Sequence, residues 1–92
     1  MIESFNHKGL EKFFRNGSKA GIQPKHADRL KDQLAFLHAA IKIQDMDKPG
    51  YKLHPLQGQN LGTWAITVNG NWRLTFRFEN GNAYIVDYKD YH

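Results

Sequence analysis

The chain has 92 residues and no cysteine, which sets one small domain and excludes disulfides and thiolate metal sites. With 40% apolar and 13% aromatic residues it is not a disordered chain, and its length buries roughly 60–70% of the unfolded surface, enough for one core without a large internal cavity. Thirteen Lys and Arg against nine Asp and Glu give a net charge of +4, with five histidines in reserve, a balance that favours polyanionic partners.

The opening "MIESFNHKGL" lacks the apolar run of a secretory leader. No stretch approaches the ~20 apolar residues of a membrane span, so a cytoplasmic protein in a reducing compartment is expected, with no membrane contact. Ile2 to Phe5 reads as a short opening strand. Asn6 is the expected N-cap of a helix that places Leu10, Phe13 and Phe14 on one face and stops at Asn16-Gly17. Pro24 opens a second helix, in which Ala27, Leu30, Leu34, Leu37 and Ile41 form one apolar stripe. "DMDKPGY" (45–51) then breaks the pattern as a loop.

From Tyr51 the period changes to two. Trp64, Ile66 and Val68 alternate with smaller residues, and Trp72, Leu74, Phe76 and Phe78 alternate with Arg73, Thr75 and Arg77. Asn69-Gly70 and Asn80-Gly81 mark two hairpins of a β-meander. A two-residue loop carried straight into a regular ladder mixes the faces. Three-residue loops instead pair Ile66 with Trp72, Trp64 with Leu74, Phe76 with Tyr84 and Leu74 with Val86. This register sets Arg73 across from Asp87 on the face away from the helices. An arginine in a central strand needs a partner or a solvated groove. Arg73 is read either as the partner of Asp87 or as a guanidinium presented to phosphate, and the two roles are compatible.

In "YKLHPL" (51–56), Pro55 ends a short strand and holds the preceding His54 in an extended backbone. The last three residues, Asp90, Tyr91 and His92, set a carboxylate, a phenol and an imidazole side by side. Cleavage of RNA by its own 2′-hydroxyl needs a base, an acid and a cation for the phosphorane. His54, Arg73, Asp90, Tyr91 and His92 supply these if the tail crosses the polar sheet face. Tyr91 can stack on a base or orient the phosphate. His54 and His92 lack zinc-pair spacing, so neither a metal nor another cofactor is expected. The bland alternatives are an exposed histidine and an indifferent polar tail.

"YKLHPL", "WAITVNGNWRLTFRF" and the terminal "YKDYH" resemble the HigB toxins of the RelE superfamily, over essentially the whole chain. The WRLTF core is shared more loosely with other RelE-like toxins, whereas His-Pro together with Asp-Tyr-His is more specific. The resemblance implies an α+β RelE-like fold: one domain spanning 1–92, with a short N-terminal strand and two helices on one face of a mostly antiparallel meander. It implies a ribosome-dependent mRNA interferase that cleaves mRNA in the A site of the small subunit. The implied partner is a HigA-type helix-turn-helix antitoxin, and operator DNA is reached only through that antitoxin. Carried over by position, the implied catalytic residues are His54, Arg73, Asp90, Tyr91 and His92, with Asn71 in the family's "NW" pair as an RNA contact. Relatives often carry a base where this chain has Gln57, which leaves Lys52 and Arg77 as the candidate phosphate contacts. The chain is expected to end at His92 because its last residues are themselves the site.

Lys8, Lys12, Arg15, Lys19, Lys25, Arg29 and Lys31 are candidate docking charges for ribosomal RNA, with a solvated helix face as the plain alternative for any one of them. Two other functions fit the composition: a non-catalytic basic module that binds RNA or ribosomes, and a ribonuclease active on free RNA.

Overall fold

The computed structural model describes residues 1–58 and 62–91. In chain order it holds helix α1 (Lys8–Asn16), a 3₁₀ turn (Pro24–His26) running into helix α2 (Ala27–Ala39), and a second 3₁₀ turn (Ile43–Met46). Strands β1 (His54–Pro55), β2 (Thr63–Asn69), β3 (Trp72–Glu79) and β4 (Asn82–Asp90) follow. The strands form one sheet in sequence order with every neighbouring pair antiparallel, which is the expected α+β meander.

Each helix has an identifiable start and stop. His7, not Asn6, caps α1, its Nδ1 accepting from the Leu10 N–H at 3.0 Å. Asn6 is drawn away to donate from Nδ2 to Asp87 Oδ2 at 2.9 Å. Gly17 ends α1 at φ 81°, a left-handed position that favours glycine. In α2 the residues Ala27, Leu30, Leu34 and Leu37 are buried as the stripe predicts. Ile41, however, is 79% exposed, because α2 stops at Ala39 and the extended Ala40 turns the chain before the stripe reaches it.

The helices cover the sheet face that carries Ile66, Val68, Leu74, Phe76, Val86 and Tyr88, and together these side chains form the core. Burying a side chain of this size contributes about 1.5–3 kcal/mol, which explains why the apolar alternation decides which face turns inward.

The hairpin registers differ from expectation by two residues. Both loops have two residues, closing Asn69 against Trp72 and Glu79 against Asn82. The extra residue that restores face matching sits within the strands, as a bulge at Val68 and another at Ile85–Val86. Ile66 therefore pairs with Leu74, Trp64 with Phe76, and Leu74 with Tyr88. From Leu74 to Tyr88 the face assignments survive because a shift of two keeps the pleat parity, but beyond the β4 bulge Tyr84 lies opposite Arg77 instead of Phe76 and leaves the core to Ala83. The expected partner of Arg73 does not survive: Arg73 lies opposite Lys89, and Asp87 lies opposite Thr75.

The same bulge explains the N-terminus. Instead of a strand, Ile2 and Phe5 make isolated parallel bridges to Ala83 and Val86. Between them the Ser4 hydroxyl accepts from the N–H of Ile85, which stands at φ 55°. A ladder cannot run through that bulge, so a side chain completes it.

Candidate active site

Residues paired across an antiparallel sheet share a face, so the register defines the polar side of the molecule. One row crosses it as His54, Ala65, Thr75 and Asp87, and the next as Thr67, Arg73 and Lys89. His54 and Arg73 thus stand on one face, two strands apart, with a low floor of Ala65, Thr67 and Thr75 between them. Two interstrand spacings and two residue rises put their Cα atoms about 11–12 Å apart, which leaves room for a phosphate group.

His54 is exposed, and its Nδ1 lies 2.8 Å from the Lys52 carbonyl. A carbonyl only accepts, so Nδ1 carries a proton and Nε2 is the nitrogen left to face a substrate. Lys52 presents that carbonyl from a left-handed backbone, φ 51°, seldom adopted by residues other than glycine.

Arg73 is half-buried, and its Nη1 donates to the carbonyls of Gly70 (2.6 Å) and Trp72 (3.1 Å). The guanidinium is therefore aimed at the β2–β3 hairpin. The same hairpin holds the end of the chain, where the Tyr91 N–H donates to the Asn71 carbonyl at 2.8 Å. Tyr91 is 45% exposed; Asp90 is exposed opposite Trp72, which sets it on the helix-side face and not on the face of His54 and Arg73. His92 lies outside the described residues.

The remaining sequence candidates divide. Lys52 and Asn71 stand at the same end as Arg73. Arg77 lies four residues further along β3, about 13 Å away at strand rise, and is tied to Glu79 by Nη2–Oε1 at 2.7 Å. It does not converge with Arg73 on one phosphate. The seven docking candidates are all exposed but form no single patch. Lys8, Lys12 and Arg15 line α1, where Arg15 pairs with Glu11 at 2.9 Å. Lys19 and Lys31 rim the groove between the helices, over Phe13 and Phe14. Lys25 and Arg29 face the loop carrying Lys52.

Sequence reasoning assigned one residue, Asp87, the wrong partner and missed a second feature altogether. Asp87 is only 9% exposed; it accepts from Asn6, and the Lys89 ammonium stands 3.7 Å away. The alternation Asp87–Lys89 just before the tail was the available signal. On the helix side, beneath Trp72 and Asp90, lies a buried aromatic unit. The Tyr88 hydroxyl is 2.6 Å from His26 Nδ1, and the Trp72 ring stacks on Tyr88 at 4.4 Å. Burial, reinforced by the nearby Lys25 charge, lowers the His26 pKa and keeps its ring neutral. Burial raises the Tyr88 pKa, with the Asp90 charge adding to it and the Gln23 N–H opposing it. Nothing local in the sequence links residues so far apart.

Among the described residues no cluster of three or more His, Asp or Glu is placed to hold a metal ion, and no helix is long and apolar enough to cross a membrane.

Comparison of the whole chain with known proteins assigns this small α+β fold to a class of toxins. Residues 3–92 match the HigB-like toxins, described as RelE-like toxins of type II toxin–antitoxin systems. Endoribonuclease HigB of Proteus vulgaris is 48% identical over 92 residues, covering all of both chains. Toxin HigB-1 of Vibrio cholerae serotype O1 is 30% identical over 94 residues, covering 97% of this chain and 99% of the relative. The chain belongs to the HigB-like toxin family, and a type II system implies an antitoxin partner.

Proposed function

We propose that this protein is a ribosome-dependent endoribonuclease that cleaves mRNA in the A site of the small subunit, in the cytoplasm, and is neutralised by a HigA-type antitoxin. The observation that carries the reading is the common face of His54 and Arg73, with Tyr91 tied to the hairpin toward which Arg73 points. The naming of the Proteus vulgaris relative as an endoribonuclease supports the same reading.

In the proposed reaction His54 Nε2 takes the proton of the 2′-hydroxyl, whose oxygen then bonds to phosphorus. Arg73 stabilises the charge on the phosphorane, having two carbonyls that already hold its guanidinium in place. The bond from phosphorus to the 5′ oxygen breaks, and that oxygen takes a proton from the end of the chain, Tyr91 or His92. The products are a 2′,3′-cyclic phosphate and a 5′-hydroxyl end. Proton transfer of this kind contributes about 10²–10⁴-fold per group. An open site of this shape does not by itself fix the reacting geometry of a flexible strand, so the ribosome supplies the positioning. Operator DNA is bound through the antitoxin.

Primer extension on one mRNA, naked and on translating ribosomes, tests the reading, with His92→Ala and His54→Ala run alongside. Cuts within codons only on ribosomes, lost in both variants, are expected. Cuts on naked transcript would make it a free ribonuclease. No cuts from folded protein in either lane would leave an RNA-binding module.

A further inference from the structure

Lys25, Arg29 and Lys52 come from elements far apart in sequence and meet at one concavity of about 320 Å³ beside the β2–β3 hairpin. Its walls include Thr67, Asn69 and Gly70, and no carboxylate lines it. The Arg29 guanidinium is held in place, with Nη2 donating to the Gly50 carbonyl at 3.2 Å and its carbon 5.4 Å above the Tyr51 ring. Lys25 and Lys52 have no ion-pair partner among the described residues. Three cations in a concave polar site with no carboxylate in its lining create a positive potential that water and salt only partly offset.

The backbone at Lys52 adds an independent observation. Its left-handed φ of 51° is a strained backbone for a residue that carries a side chain. A glycine there would present the same carbonyl to His54 without that strain. What the lysine adds is its ammonium in the concavity.

The position relates the concavity to the catalytic arginine. Gly70 lines it, and the carbonyl of Gly70 accepts from Arg73 Nη1 at 2.6 Å. The two cationic sites therefore share Gly70 as a neighbour. We propose that Lys25, Arg29 and Lys52 form a second phosphate subsite, which takes the mRNA phosphodiester next to the one being cut. The inference rests on the nuclease reading, and it moves Lys25 and Arg29 from contacts with ribosomal RNA to contacts with the substrate strand. Arg29 suits the role because its planar fork matches phosphate oxygens, while the lysines act as adaptable point charges.

The test uses Lys25→Ala and Lys52→Gly in the full chain, with Lys48→Ala as a charge-matched control away from the concavity. Lys52→Gly relieves strain, so misfolding does not confuse its result. The first readout is binding of a fluorescent 2′-O-methyl RNA trinucleotide, which cannot be cut, to the protein alone. Each variant is expected to weaken it about tenfold at low salt, the size of one charge-assisted hydrogen bond. The slope of log affinity against log salt should fall by about 0.7 for each lost contact to a single strand. The second readout is ribosome pelleting, expected to be unchanged, and the third is single-turnover cleavage on programmed ribosomes, expected to slow with the loss of trinucleotide binding. Unchanged trinucleotide affinity in both variants overturns the subsite, as does wild-type protein that fails to bind the trinucleotide. Weaker pelleting with unchanged trinucleotide binding assigns the cations to ribosomal RNA instead. Wild-type protein that binds the trinucleotide at this subsite but cuts nothing on ribosomes overturns the nuclease reading alone.

Discussion

The Tyr88 hydroxyl is hydrogen-bonded to Nδ1 of His26, 62 residues away in the chain, across 2.6 Å of buried space. The same hydroxyl accepts from the Gln23 N–H at 3.4 Å. The bond joins the start of α2 to the last strand, one residue before Lys89 and two before Asp90. It anchors the base on which the proposed site is built.

Removing this hydroxyl should therefore be costly. Tyr88→Phe strands a buried imidazole nitrogen and is expected to lower stability by about 1–3 kcal/mol, with the ring stack on Trp72 retained. Urea denaturation at pH 7 measures it, and a loss below a few tenths of a kcal/mol would show that water replaces the bond.

The same pair sets a pH dependence. The folded-state pKa of His26 lies below its unfolded value, so between the two values the unfolded chain binds more protons. Stability is then fully present above the unfolded value of about 6.5 and declines as pH falls toward the folded value. One proton contributes a slope of at most about 1.4 kcal/mol per pH unit. Denaturation series from pH 7 to 5 should show a shallower decline in His26→Gln than in the parent protein. Parallel curves would remove His26 as the source.

His54 and Arg73 should separate activity from stability. The His54 side chain is exposed and, among the described residues, hydrogen-bonded to the Lys52 carbonyl alone, so His54→Ala is expected to leave the melting temperature within a degree or two of the parent. Cleavage on ribosomes should fall by about 10²-fold or more. Arg73→Ala should cost about 10²–10³-fold by removing charge stabilisation. Single-turnover rates read both, and a His54→Ala protein that cuts at the parent rate would exclude the base role.

Gly9 gives a sign test of packing. Glycine to alanine inside a helix ordinarily stabilises by about 0.5–1 kcal/mol. At Gly9 an added Cβ would lie 2.7 Å from the Cα of Gly21, a backbone contact that cannot swing aside. Gly9→Ala is therefore expected to destabilise by about 1–3 kcal/mol, as overpacking does. A higher melting temperature would mean that the segment around Gly21 gives way freely.

Ile85 predicts the opposite sign. It is β-branched, stands at φ 55° in the β4 bulge, and is 55% exposed, so little burial offsets its strain. Ile85→Asn keeps the backbone N–H that Ser4 accepts and is expected to stabilise by about 1 kcal/mol. Thermal melting checks it, and a loss of stability would show that the isoleucine side chain contributes packing.

Local chemistry determined much of this protein. The spacing of Leu30, Leu34 and Leu37 could only bury a helix face, and the alternation from Trp64 to Phe78 could only bury a strand face. Turn residues located both hairpins, and pleat parity set Arg73 on the open side whatever the register. His-Pro and Asp-Tyr-His carried the family resemblance because they are contiguous. The tertiary structure decided what depends on distant pairing. Whether an extra residue sits in a loop or in a bulge at Val68 and Ile85 is a balance of packing across strands, and it moved Asp87 from Arg73 to Thr75. The meeting of Lys25 and Arg29 with Lys52, and of His26 with Tyr88, joins segments that share no period. Such contacts form only after the helices have packed on the sheet, because the burial that holds them belongs to the whole core and to no single element.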